Sequence, residues 1–143
     1  SSAAAVIGAA GQANYCAANA FLDQLAQLRA SQHQPALSIN WGPWSGVGMA
    51  AQLSTQDLRR WERGGVSALS AESGLAALDR LLSLKSSGQV AVLQAAWSRL
   101  VGTVPSLSRL LSHLADRTSL RSLAGVAPAE SNQITDLSSS GLV

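Results

Sequence analysis

The spacing of apolar residues changes along this chain, and each spacing predicts a different element. Between residues 13 and 31 apolar side chains recur about every 3.6 residues, the spacing of an amphipathic helix. The residues on this stripe are Tyr15, Ala18, Phe21, Leu22, Leu25 and Leu28. We expect Phe21, Leu22 and Leu25 to pack in the core, and Pro35 to prevent continuation of the helix.

Two strand patterns flank a second helix. At residues 36–41 apolar side chains alternate with smaller or polar ones, which predicts a strand. Residues 70–82 predict a helix that begins at Ser70 as its N-cap. Its apolar stripe consists of Leu75, Leu78, Leu81 and Leu82. Residues 89–93 predict a short apolar strand. The residues expected to pack just after that strand are Trp97 and Leu100.

This order of strand, helix and strand is typical of an α/β protein with a parallel sheet and helical crossovers. Ligands of such sheets bind beyond the carboxyl ends of the strands. The loop over residues 42–49 follows the first strand and contains three glycines, a proline and a tryptophan. We therefore prefer a binding site over an ordinary surface turn for this loop.

Apolar density falls towards the C-terminus, which predicts one domain followed by a linker. We place the domain at residues 1–112, with a short charged-face helix over residues 50–65 and an apolar helix over residues 104–114. Residues 113–143 are rich in Ser, Ala and Gly, so we expect a poorly ordered linker toward a next domain.

Composition and charge exclude several classes of protein. The chain is 47% hydrophobic and 13% charged, which fits a globular core. Its net charge of +2 comes without a Lys/Arg run, so we expect no nucleic-acid partner. No apolar run approaches the ~20 residues of a membrane span, and no signal-peptide pattern is present. Its single cysteine agrees with a reducing compartment, so we expect a cytoplasmic protein without a metal site.

The candidate chemistry lies in residues 1–19. Tyr15 and Asn19 are four residues apart, so they share one helix face. A serine hydroxyl can donate a hydrogen bond to a carbonyl oxygen that gains negative charge during reduction. A tyrosine can protonate that oxygen, but its ordinary pKa of about 10 requires a nearby cation. No lysine lies in this stretch, and the single lysine of the chain, Lys85, lies in a distant segment flanked by Ser and Gly.

Two motifs carry a resemblance to a known family. The first is Ser1-Ser2 followed by Gly11-Gln12 and by YCAANAFLD at residues 15–23. The second is NWGPW at residues 40–44, followed by GVGMA at residues 46–50. Together they resemble the ketoreductase domain of modular polyketide synthases, in the short-chain dehydrogenase/reductase superfamily. The resemblance implies a Rossmann-like doubly wound parallel sheet, of which this chain would hold only the C-terminal portion.

The resemblance also implies roles for individual residues. Ser2 corresponds to the catalytic serine, Tyr15 to the proton donor and Asn19 to the third active-site residue. The residues implied to bind NADP(H) are Gly42, Pro43 and Trp44. The residues implied to form the substrate loop, in a lid region of about 46–66, are Gly46, Val47, Gly48 and Met49. In this family variant the active-site lysine lies upstream, before the start of this chain.

The function implied is reduction of a 3-oxoacyl thioester to the 3-hydroxyacyl form with NADPH. The implied partners are an acyl carrier protein with a phosphopantetheine-tethered substrate and other synthase domains. The chain has no G-x-G-x-x-G turn, so we expect it to be inactive alone. Two alternatives stay open: a non-reducing domain that scaffolds a synthase module, and a free-standing short-chain reductase. The presence of Ser2, Tyr15 and Asn19 argues against the first. The Ser-rich tail and Asn19 in place of lysine argue against the second.

Overall fold

The computed structural model describes residues 1–46, 59, 61–103 and 133–136. Its helices are α1 (Ala4–Ile7), α2 (Ala13–Ser31), α3 (Ala71–Ser83) and α4 (Trp97–Thr103). Its strands are β1 (Leu37–Trp41), β2 (Val66–Ser67), β3 (Gly88–Ala95) and β4 (Gln133–Asp136). The α/β class is confirmed, and α2 has the bounds that the apolar spacing predicts.

Strand β3 is the centre of the sheet. It pairs in parallel with β1, from Leu37 opposite Gly88 to Trp41 opposite Val92. The connection between these strands contains α3, as a parallel pair requires. The other two pairings of β3, with β2 and with β4, are antiparallel. The described sheet is therefore mixed, with β3 at its centre and the predicted parallel pair formed by β3 and β1.

The buried face of α2 differs from the expected one. Phe21 is 66% exposed, and Leu22 and Leu25 are exposed as well. The residues that α2 buries are Asp23 and Ala26. The expectation that the leucine stripe packs in the core is wrong within the described residues, because α2 contacts β1 and β3 through small and polar side chains. These side chains allow a close approach of helix and sheet.

Helix α3 begins as predicted and covers one face of the sheet. The Ser70 hydroxyl accepts a hydrogen bond from the Ser73 backbone N–H at 3.1 Å, which confirms the N-cap. The helix buries Gly74, Ala77 and Leu81, whereas Leu75 and Leu82 of the predicted stripe are exposed. The core cluster on this side consists of Leu69, Ala77, Leu81, Val90 and Val92.

A second cluster uses the alternate residues of β3. Successive side chains of a strand point to opposite faces, so Ala91 and Leu93 lie on the face opposite Val90 and Val92. The buried residues of this cluster are Ala3, Val66, Ala91, Leu93, Trp97 and Leu100. The predicted packing of Trp97 and Leu100 after β3 is thereby confirmed.

Several sequence predictions lie outside the described residues. They include Val47, Gly48 and Met49, most of the predicted lid helix, and the helix over residues 104–114. In the predicted linker the structure describes β4 alone, so the linker stays a prediction for the other residues. Among the described residues, no helix is long and apolar enough to cross a membrane.

Candidate active site

Ser2 lies beside the carboxyl end of β1. It forms an isolated parallel bridge with Trp41, the last residue of that strand. The Ala3 N–H donates to the Trp41 carbonyl at 2.9 Å, and the Trp41 N–H donates to the Ser1 carbonyl at 3.3 Å. These bonds place Ser2 at the edge of the sheet where ligands of parallel strands bind.

The Ser2 hydroxyl keeps a hydrogen that can be donated. Its Oγ accepts a hydrogen bond from the Ala4 N–H at 3.2 Å, at the start of α1. A hydroxyl has one O–H donor besides its acceptor lone pairs. The bond from Ala4 therefore fixes the oxygen without using the hydrogen, and Ser2 can donate to a carbonyl oxygen at this edge.

Helix α2 carries Tyr15 and Asn19 to the same region. The Ser1 hydroxyl donates to the Asn19 backbone carbonyl at 3.2 Å, which joins the Ser1–Ser2 segment to the helix. The Asn19 side-chain N–H donates to the Tyr15 carbonyl at 2.9 Å, one turn earlier. Both Tyr15 and Asn19 are half-buried. The fold thus brings Asn19 next to the serine segment, with Tyr15 one helical turn away.

Two glycines form the turn between α1 and α2. Gly8 and Gly11 both have a φ of 78°, in the left-handed region that favours glycine. A Cβ on either residue would meet nothing within 4 Å, so the backbone angle and not crowding requires glycine here. The small-residue loop of the sequence motif is therefore the turn that directs α2 back toward the sheet.

The loop after β1 is held on both sides. The Gly42 N–H donates to the Val92 carbonyl at 2.8 Å, and the Pro43 carbonyl accepts from the Leu69 N–H at 2.7 Å. The Ser45 N–H donates to the Leu69 carbonyl, also at 2.7 Å. These backbone bonds fix the segment that the resemblance assigns to NADP(H) at the same edge as Ser2.

The Trp44 ring packs within the protein. Its centroid lies 5.0 Å from that of the Trp41 ring, at an interplanar angle of 60°. Its six-membered ring also lies directly over Gly74 of α3. Trp44 is half-buried, and this packing orients the loop. Its implied contact with a cofactor stays a prediction, as does that of Gly42 and Pro43.

A buried polar cluster behind Ser1 was not predicted from the sequence. It consists of Asp23 on α2 together with Ser38 and Asn40 on β1. Ser38 and Asn40 alternate with the apolar residues of β1, so they lie on its other face. The alternation along β1 is the sequence signal that could have identified Ser38 and Asn40. It does not show that Asp23 of α2 lies opposite them. Among the described residues, no group of three His, Cys, Asp or Glu side chains could hold a metal ion.

A family model and several related sequences point to the same protein family. The family model described as "KR domain" matches residues 1–46. Polyketide synthase GfsB of Streptomyces halstedii is 56% identical over 84 residues, which cover 58% of this chain. Polyketide synthase GfsA of the same organism is 39% identical over 130 residues, which cover 90% of this chain.

A solved structure points to the same family as the sequence comparisons. The structure of A-type ketoreductases from a modular polyketide synthase superposes with a TM-score of 0.66 at 39% identity and covers 73% of this chain. The chain spans 2% of the length of each of the two synthases and 21% of the solved chain. It is therefore similar to a small part of each relative.

Proposed function

Because this chain is ketoreductase-domain sequence of the modular polyketide synthase type, in the short-chain dehydrogenase/reductase superfamily, we propose that it supplies the proton donor and the carbonyl-binding residues of an NADPH-dependent reductase. The substrate proposed is a 3-oxoacyl thioester on an acyl carrier protein, and the product is the 3-hydroxyacyl thioester. The parts that bind the rest of the dinucleotide belong to residues outside this chain in this proposal.

One observation carries the proposal. The bridge between Ser2 and Trp41 sets a hydroxyl at the carboxyl end of β1, and the bond from Ser1 to Asn19 joins that position to α2. Both contacts support a site in which the Ser2 hydroxyl and the α2 face of Tyr15 and Asn19 act on the same carbonyl. A hydrogen-bond donor to the carbonyl and a proton donor are two of the groups that reduction of a carbonyl requires.

Each group has a separate role. Ser2 donates a hydrogen bond to the substrate carbonyl oxygen, on which negative charge develops. Tyr15 transfers its phenolic proton to that oxygen as the alcohol forms. Asn19 holds its amide N–H on the Tyr15 carbonyl, so its side chain is oriented along the same face of α2. The lysine that would assist Tyr15 lies upstream of this chain in the proposal.

We propose that the nicotinamide end of NADPH binds along the edge formed by Gly42, Pro43 and Trp44. Gly42 is buried, and a Cβ there would lie 3.1 Å from the Leu93 side chain. The backbone of this loop therefore stays close to the sheet and beside Ser2. When bound, NADPH supplies the hydride. Gly46, Val47, Gly48 and Met49 are proposed to border the substrate, within the lid over residues 46–66.

The proposed partners follow from the same family. An acyl carrier protein would present the substrate on phosphopantetheine, and further synthase domains would be joined in the same polypeptide. We propose a cytoplasmic location for such a synthase. Arg59 and Arg63 are exposed and belong to the proposed lid, and we propose that they contact a phosphate of the carrier arm or an acidic carrier protein.

The test is the substitution Tyr15→Phe in the reductase domain that contains this chain. We expect NADPH oxidation with a 3-oxoacyl thioester to fall by at least 100-fold, while NADPH binding and the melting temperature stay unchanged. Loss of a single general acid typically costs about 10²–10⁴-fold. Near wild-type turnover in this variant would refute the reductase assignment. If the wild-type domain binds no NADPH, the scaffold alternative is favoured.

A further inference from the structure

A buried hydrogen-bond network lies directly behind Ser1 and Ser2. Asp23 is 2% exposed and Asn40 is fully buried, although both side chains are polar. Polar groups at this depth are costly unless they are hydrogen bonded. Among the described residues, every buried side-chain nitrogen and oxygen has a hydrogen-bond partner. The network is therefore complete, and each bond restricts the geometry of the groups it joins.

Asp23 accepts hydrogen bonds at both carboxylate oxygens. The Ser38 hydroxyl donates to Oδ1 at 2.6 Å, and the Asn40 amide donates to Oδ2 at 2.8 Å. Both donors lie on β1, whereas Asp23 lies on α2. The carboxylate thus joins the helix of the proposed active site to the strand that ends beside Ser2.

Asn40 continues the connection from the carboxylate to the serine segment. One of its two amide hydrogens is used by Asp23, and the other is shared between the Ser1 hydroxyl at 3.0 Å and the Ser2 carbonyl at 3.1 Å from the amide nitrogen. Because the Ser1 hydroxyl donates to the Asn19 carbonyl, it accepts from Asn40. The Asn40 oxygen accepts from Gln89 at 3.0 Å, which fixes the orientation of the amide.

The network closes a ring that includes the backbone of Asn19, one of the proposed catalytic residues. It begins at Asp23, passes through Asn40 and Ser1, and returns to α2 at Asn19, one turn before Asp23. Ser2 is held in the same ring through its backbone carbonyl. The distance between the Ser2 backbone and the Asn19 turn of α2 is therefore restricted by the buried Asp23–Asn40 bond together with the part-buried bonds of Ser1 and Ser2.

We propose that Asp23 and Asn40 are positioning residues that hold the Ser2 hydroxyl in register with Tyr15 and Asn19. This inference rests on the proposed reductase function. Neither residue touches the substrate, and both act through the Ser1–Ser2 backbone. A shift of about 1 Å in a positioned group can lower a rate by about 100-fold, so loss of the ring lowers turnover through Ser2.

A double-mutant cycle tests this coupling in the reductase domain that contains this chain. The substitution Asp23→Asn keeps the size of the side chain and removes one of its two acceptors. We expect kcat to fall at least 10-fold in the wild-type background. In the Ser2→Ala background, where no hydroxyl remains to be positioned, we expect less than a twofold further loss. The KM for the thioester should stay within twofold.

Two further variants keep the test decisive. Ser1→Ala removes the hydroxyl that links Asn40 to the Asn19 carbonyl. Because Ser1 is only half-buried, this variant tests the coupling even if Asp23→Asn does not fold. Leu81→Val perturbs a core cluster that does not include the ring, and its effect on kcat should be small and equal in both backgrounds.

The outcomes separate the two proposals. The positioning proposal is supported if Asp23→Asn or Ser1→Ala lowers kcat strongly in the wild-type background but little in the Ser2→Ala background. Equal fold-losses in both backgrounds would overturn it and leave Asp23 with a purely structural role. If Ser2→Ala itself leaves kcat unchanged, the reductase assignment of Ser2 fails, and the positioning proposal fails with it. If Ser2→Ala lowers kcat, and Asp23→Asn lowers kcat by the same factor in both backgrounds, only the positioning proposal is overturned.

Discussion

Trp44 lies so close over Gly74 that no side chain fits between the loop after β1 and helix α3. A Cβ on Gly74 would lie 2.7 Å from Cζ3 of the indole ring, and closer still to Cη2. Glycine is therefore required at this helix position by a neighbour and not by its backbone angle. Any side chain at Gly74 must displace the ring.

We predict that Gly74→Ala moves the segment that holds Trp44 and lowers stability. Overpacking of this kind costs about 1–3 kcal/mol, although alanine is the better helix former. Because the loop lies beside Ser2, we also expect weaker NADPH binding. Thermal denaturation and fluorescence titration with NADPH measure the two effects.

Gly102→Ala in α4 is the matched control for that substitution. Gly102 is exposed, and a Cβ there would meet nothing within 4 Å. We expect this variant to gain about 0.5–1 kcal/mol in stability and to bind NADPH normally. Equal effects of the two substitutions would show that the contact with Trp44 does not decide the outcome at Gly74.

Two adjacent leucines of α3 should differ strongly in their contribution to stability. Leu81 is 1% exposed and lies in the core cluster with Val90 and Val92, whereas Leu82 is 63% exposed. We predict that Leu81→Ala lowers the free energy of unfolding by about 2–5 kcal/mol. Leu82→Ala should change it by less than about 0.5 kcal/mol. Urea denaturation of both variants measures the difference, and similar losses would contradict the orientation of α3.

The face of α2 that lies against the sheet can be tested with alanines. Ala26 is buried, whereas Ala18 is exposed on the same helix. We predict that Ala26→Leu costs about 1–3 kcal/mol, because the larger side chain forces α2 away from the sheet. It should also lower turnover, because α2 carries Tyr15. Ala18→Leu should leave the stability within about 0.5 kcal/mol. A destabilised Ala18→Leu with an unaffected Ala26→Leu would indicate that the opposite face is buried.

Local patterns in the sequence determined most of the secondary structure. The spacing of apolar residues and Pro35 defined α2, and the Ser70 cap defined the start of α3, because both signals act within a few residues. Alternation predicted β1 and the main part of β3. The two-residue strand β2 was missed because it is too short to show a period. The family motifs predicted Ser2, Tyr15 and Asn19 as site residues.

Only the tertiary structure decided which surfaces meet. The apolar stripe of α2 predicted a helix, but the sheet packs against the small and polar side chains on its other face. The ring through Asp23, Asn40, Ser1 and Asn19 joins residues 17 to 39 positions apart in the sequence, through bonds that no local pattern encodes. The contact between Trp44 and Gly74 is of the same kind. Periodicity depends on neighbours along the chain, whereas these contacts depend on where β3 and α3 bring distant residues together.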